Sequence, residues 1–134
     1  MQTTSYGIRT VISAGFDEAV SRARNALASE GFGVLCEIDI QAKLKEKLGV
    51  DTRRYLILAA CNPPLAHQAL QLEADLGLLL PCNVIVYEES ERQSVVAAIE
   101  AASMMTVTGN DKLTPIAKQV GAKLHRVIAA VERS

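Results

Sequence analysis

The sequence predicts one mixed domain in which α-helices lie across a β-sheet, and three observations carry that prediction. The chain has 134 residues, a length at which a single domain buries roughly two-thirds of its unfolded surface without staples. Its hydrophobic fraction is 49%, most of it Ala, Val, Ile and Leu, and Trp is absent. A core of such small aliphatic side chains suits helices packed on a sheet. Finally, runs of period two alternate with runs of helical spacing along the chain. No repeat, low-complexity tract or linker interrupts them, so residues 1–134 form one unit.

In chain order, Ser5 to Ser13 alternates, with Tyr6, Ile8, Thr10 and Ile12 pointing one way and Arg9 and Ser13 the other, as a half-buried strand does. A helix follows. Asp17 and Glu18 sit in its first turn, where the dipole favours acids. Phe16, Ala19, Val20, Ala23, Ala26 and Leu27 recur at helical spacing, and Gly31 stands at the C-terminal cap. Phe32 to Ile38 reads as a second strand with Phe32, Val34, Cys36 and Ile38 on one face. Asp39 then caps a short helix with Ile40, Leu44 and Leu48 four apart, ended by Gly49. Tyr55 to Cys61 is apolar on both faces, the pattern of a central strand covered on both sides.

Asn62-Pro63-Pro64 starts a helix, with Asn as N-cap, Pro at the first helical position and Leu65, Ala66, Ala69 and Leu70 as its stripe. Glu73 to Gly77 reads as a loop, and Pro81 precedes a strand from Cys82 to Glu88. Ser94 to Met105 fits either state, with local propensity favouring helix. From Pro115, after a capping Thr114, residues Ile116, Ala117, Val120, Leu124, Val127, Ile128 and Val131 mark a long final helix.

Charge narrows the function. The formal net charge is −1, and the basic residues (Arg22 and Arg24, Lys43 to Lys47, Arg53 and Arg54, Lys118 to Arg126) are scattered along helix faces turned to solvent. A nucleic-acid partner would require a concentrated basic face. The stretch from Met1 to Tyr6 has neither the basic nor the apolar part of a secretory signal. Runs such as Leu78-Leu79-Leu80 are too short to span a bilayer, and three unpaired cysteines do not make a disulfide framework. A cytoplasmic protein with neither a nucleic-acid nor a membrane partner is expected. The sequence has no Gly-rich phosphate loop, Ser nucleophile elbow or HExxH, and it names no cofactor and no catalytic set.

Three segments together resemble a known family. They are Glu37-Ile38-Asp39 with Lys47-Leu48-Gly49, then Ala60-Cys61-Asn62-Pro63 with Ala66 and Ala69-Leu70, then Gly77 to Val84 with its Pro81-Cys82-Asn83. Their order and spacing resemble the bacterial and archaeal domain of unknown function number 302, over about Tyr6 to Val131. That resemblance implies an α+β fold, a β-α-β-β-β-β-α sheet of the TATA-binding-like or helix-grip-like kind, with short helices inserted in the connections and a long C-terminal helix. It turns Ser94 to Ile99 into a strand, against propensity, and implies a homodimer. Two departures stand out: Ala74 replaces a usual proline, and Glu100-Ala101 lacks a proline-containing turn.

Chemistry concentrates at the two Cys-Asn pairs. Cys61 ends a strand before a helix start, where free N–H groups and the helix dipole can lower a thiol pKa. If Cys82, flanked by Pro81 and Asn83, lies on the neighbouring strand, the two thiols can form a reversible disulfide or share a soft metal. The alternative is that both cysteines pack as small hydrophobes while Asn62 and Asn83 cap and brace. Cys36 is read as packing within its strand, and His67 as a surface histidine. Zinc is disfavoured by the wide spacing of Cys61 and Cys82, with His67 and His125 isolated. Glu37, Asp39 and Lys43 form a second polar cluster, read as a helix cap and surface charges rather than an acid/base pair. The leading reading is a non-catalytic homodimer that binds a small ligand or a partner. Its binding surface would be the groove between the sheet and the last helix, or the surface near Leu78 to Cys82. The alternative is a thiol-dependent redox or metal sensor using Cys61 and Cys82.

Overall fold

The computed structural model describes residues 1–134. The elements run β1 (Gln2–Thr3), β2 (Gly7–Ile12), α1 (Phe16–Ser29), β3 (Gly33–Asp39), α2 (Ile40–Leu48), β4 (Tyr55–Cys61) and α3 (Pro63–Leu72). A 3-10 turn (Ala74–Leu79), β5 (Cys82–Ser90), β6 (Gln93–Ile99), α4 (Ala101–Thr106), a short 3-10 turn (Asp111–Leu113) and α5 (Thr114–Arg133) complete the chain. The six strands form one sheet in the order β1-β2-β6-β5-β4-β3, antiparallel throughout. β3 to β6 follow one another as a meander. β2 lies beyond β6, so α1 must carry the chain back across the sheet to its far edge.

α1 and α5 do this on the same face and pack on each other. Ile8, Ile12, Leu58, Ala60, Val84, Val86, Val96 and Ala98 project from the strands into one core. They meet Ala19, Ala23 and Leu27 of α1 and Leu124, Val127, Ile128 and Val131 of α5, all of them buried. The alanines on α1 let the helix approach the sheet closely, and the α5 stripe fills what remains. Every stripe residue expected in α5 is buried. Arg126 Nε donates to Glu30 Oε1 at 2.9 Å, tying α5 to the end of α1.

Local chemistry sets the boundaries. Asp39 accepts from Ala42 N at 2.9 Å to cap α2, and Gly49 ends it at φ +68°. Asn62 caps α3 by accepting from Leu65 N at 3.3 Å, with prolines in the first turn. Gly31 takes φ +82° between α1 and β3, a conformation that costs glycine little.

Several expectations are corrected. A bulge between Val34 and Cys36 shifts the register of β3. Phe32 and Val34 therefore turn inward, while Cys36 and Ile38 pair with Ala59 and Ile57 on the other face and are exposed. Cys36 is thus not a packed core thiol. Tyr6 lies outside β2 and is 70% exposed rather than aligned with Ile8. Tyr55 and Ile57 are only half-buried, so β4 is not fully covered on both faces. Glu73 to Gly77 is not a plain loop, because Ala74–Leu79 winds as 3-10 helix around the buried Leu76. Ser94–Ile99 is strand, as the family resemblance implied. Glu100 caps α4 by accepting from Ala102 N at 3.2 Å, so Glu100-Ala101 opens a helix. Thr114 is already the first residue of α5 and makes no side-chain cap.

Candidate functional site

β4 and β5 are adjacent, and their register sets Ala60 opposite Cys82 and Ala59 opposite Asn83. Each Cys-Asn pair therefore sits at the same end of the sheet. Cys82 lies on the helix-covered face and packs against the core. Cys61, at the last position of β4, borders the same space. That space is an apolar cavity of about 290 Å³. Ala60, Cys61 and Cys82 come from the strands, Leu65 and Ala69 from α3, and Ile116 and Val120 from α5; Leu80 and Pro81 close one side. The groove beside the last helix and the surface near Leu78 to Cys82 thus meet in one cavity. Leu78 itself points away and is 87% exposed.

Burial and then the neighbouring Cys61 push the Cys82 thiol up to about 11, because an apolar wall disfavours the thiolate and a second thiol adds repulsion. Cys82 is therefore a neutral thiol at physiological pH, the opposite of an activated nucleophile.

Asn62 is committed to the fold. Its Oδ1 caps α3, and its Nδ2 donates to the Glu30 carbonyl at 3.5 Å. Pro63 starts that helix, and Pro81, behind a cis peptide bond, leads into β5. Asn83 is exposed on the opposite face from Cys82. Of the six residues singled out around the cysteines, Cys61, Asn62, Pro81 and Cys82 line the cavity, while Pro63 and Asn83 do not.

Of the second polar cluster, Glu37 and Asp39 border one depression with Arg24 and Arg54, while Lys43 does not join them. Glu37 pairs with Arg24 of α1, Asp39 caps α2, and Lys43 reaches Glu46 at 3.6 Å. His67 is exposed, and His125 faces Glu100 at 3.5 Å on the far side of α5. No three His, Cys, Asp or Glu side chains gather in a group that could hold a metal ion.

Sequence reasoning missed the cavity walls supplied by Phe32, Leu35 and Met105. Phe32 precedes β3, Leu35 is the residue inserted at its bulge, and Met105 lies in a helix that propensity merged with the preceding strand. It missed a second depression altogether, on the sheet face away from the helices. There Tyr6, Tyr55 and Tyr87 line a groove of about 400 Å³ together with Arg9 and Arg53.

The model of a family described as domain of unknown function DUF302 matches residues 8–131. Among solved structures, the crystal structure of an uncharacterized conserved DUF302 protein from Bacillus stearothermophilus is similar over 96% of this chain and 99% of that one. The TM-score is 0.87 and the sequence identity 27%. No curated protein matches the chain.

Proposed function

The chain belongs to the domain-of-unknown-function family DUF302, and on that premise we propose that it is a non-catalytic homodimer that holds a small apolar ligand in the Cys61–Cys82 cavity. The observation that carries this reading is the cavity itself. Its wall is built almost wholly from hydrocarbon and thiol groups, with Asn62 the one strongly polar side chain. At about 290 Å³ it stands at the small end of ligand sites, which span about 300–1,000 Å³. Such a wall favours a ligand of one or two rings or a short alkyl chain, oriented by few hydrogen bonds. The raised pKa of Cys82 and the absence of an acid or base aimed into the cavity favour binding over chemistry. In the alternative reading the same two thiols act as a redox or metal sensor. Their shared cavity supports it, but the neutrality of Cys82 opposes it, since thiol exchange and metal ligation both begin from thiolate.

A thermal-shift series with indole, naphthalene and medium-chain alkanols tests the binding reading. A ligand at about 100 times its Kd adds about 2.7 kcal/mol to stability, several degrees of Tm in a domain of this size. At least one of these probes is expected to raise Tm, and Ala66→Phe, which fills the cavity from α3, is expected to remove that rise. A flat response to the whole series, or a rise that survives Ala66→Phe, overturns the assignment.

A further inference from the structure

All three tyrosines of the protein converge on the sheet face opposite the helices. Tyr87 and Tyr55 are opposed in the register of β5 and β4, and their rings stack with centroids 5.3 Å apart and planes within 5°. Arg53 lies over the Tyr87 ring, 5.1 Å from its centroid. Tyr6, from the turn between β1 and β2, forms the other wall. Between the walls the floor is nearly free of bulk: Gly7 and Ala97 face the same groove, with Ile85 beyond them. Arg9 is opposite Ala97 in the register. It extends across that small residue until its Nη2 donates to the Tyr87 hydroxyl at 3.2 Å, while its Nη1 donates to Gln2 at 2.8 Å.

The charges in this groove do not balance locally. Arg53 has an acidic partner, Glu89, at 3.6 Å. Arg9 is half-buried, has only neutral partners, and takes part in none of the protein's ion pairs. A guanidinium has five N–H donors in a planar fork. Two hydrogen bonds leave Arg9 with donors and a full positive charge facing a cleft. Burial, then the neighbouring Tyr87 and Tyr6, push the Tyr55 phenol above its ordinary value. It therefore stays a neutral hydroxyl that can donate a hydrogen bond.

We propose that this groove binds a small planar aromatic carboxylate, with Arg9 taking the carboxylate and the tyrosines taking the ring. A single unopposed positive charge matches a monoanion rather than a phosphate dianion. The guanidinium fork fits two carboxylate oxygens side by side, and phenol rings supply rigid apolar walls with a polar edge. This site shares no lining residue with the apolar cavity.

The test uses 2-naphthoate as probe, followed by NMR on the side-chain resonances of Arg9 and the tyrosine rings and on the methyl resonances of Leu65 and Ala69. Two comparison probes divide the chemistry: 2-naphthalenemethanol has the ring without the charge, and acetate the charge without the ring. Saturable shifts at Arg9, Tyr6 and Tyr87 are expected with 2-naphthoate, at least tenfold tighter than with either comparison. Arg9→Gln is expected to weaken binding by about tenfold or more, the usual loss for a charge-assisted hydrogen bond. Tyr6→Ala, at an exposed position outside the strands, tests the aromatic wall without threatening the fold and is expected to weaken binding severalfold. The proposal is overturned by any of four results: no saturation by millimolar 2-naphthoate, equal binding of the alcohol, undiminished binding to Tyr6→Ala, or shifts confined to Leu65 and Ala69. The last result would assign the probe to the apolar cavity instead. A change of oligomeric state in Arg9→Gln, with no naphthoate binding to the parent, would make Arg9 a protein contact and also overturn it.

Discussion

A thiol in an apolar wall looks like any other thiol in a sequence, yet its chemistry is set by that wall. Cys82 is held at about 11 by burial and by Cys61, against an ordinary value near 9. Its thiol therefore keeps its proton in the folded state over a range in which the unfolded chain loses it. Stability depends on pH through the difference in bound protons. Between about pH 9 and 11 the unfolded state binds fewer protons, so stability falls as pH rises, at about 1.4 kcal/mol per pH unit. Below pH 9 both states are protonated and the effect vanishes. Denaturation followed across pH 8–11 is expected to show this loss, and Cys82→Ala to flatten it. An equal slope in that variant would mean that Cys82 is solvated. Alkylation at pH 8, resolved by residue, gives a second check. Cys36, exposed on the edge strand, is expected to react at least about tenfold faster than Cys82. Comparable rates would restore the activated-thiol reading.

At the scale of elements, what was legible was what is decided locally. α1 and α5 declare themselves through apolar residues at helical spacing, and the caps at Asp39 and Asn62 through side chains that satisfy otherwise free N–H groups. Asn62 does more than cap, since it also bonds the carbonyl of Glu30 and so fastens α3 to the end of α1. Asn62→Ala is expected to cost about 1–2 kcal/mol, read as a fall in the urea midpoint at unchanged slope. A loss below about 0.5 kcal/mol would mean that water replaces both bonds. β6 was not legible from propensity, because Val95 to Ile99 are apolar without a period. Pairing with β2 on one side and β5 on the other makes them a strand, and the family resemblance carried that tertiary information. The bulge in β3 was invisible too, since one inserted residue reverses the facing of Cys36 and Ile38 without altering composition. The Cys61–Cys82 end of the sheet was legible as a neighbourhood, because both motifs flank adjacent strands. The Arg9 groove was not. Its members come from positions 6, 9, 53, 55 and 87, which only the strand order brings together.

For the molecule as a whole, the helix that gains least from the fold says most about assembly. α2 has no buried residue, although Ile40, Leu44 and Leu48 form an apolar stripe. Short helices draw their stability mainly from packing such a face; here Ile40 and Leu44 are only half-buried and Leu48 is exposed, so the stripe of this nine-residue helix is incompletely covered. Next to it runs β3, the edge of the sheet, with Leu35 and Ile38 exposed and its outer backbone groups unpaired; Leu48 is 69% exposed. Natural edge strands are normally blunted by charge, proline or a covering element. Here a bulge and Glu37 are the blunting devices on the strand, and exposed apolar side chains surround them. A second copy related by two-fold symmetry would lay β3 against its own equivalent and cover both α2 stripes, an isologous contact that closes on itself. Sedimentation at micromolar concentration is expected to give twice the monomer mass. Leu35→Glu combined with Leu48→Glu would place unpaired charges in the contact, which costs several kcal/mol, and is expected to raise the dimer Kd by about a hundredfold or more. Both side chains are exposed in the monomer, so circular dichroism should stay unchanged. Val11→Glu, exposed near the other edge of the sheet, should leave the mass at that of a dimer. If the parent protein sediments as a monomer, or the Val11 variant dissociates while the Leu35/Leu48 variant does not, the β3–α2 surface is not the interface. The exposed end of the α2 stripe at Leu48 would then need another cover.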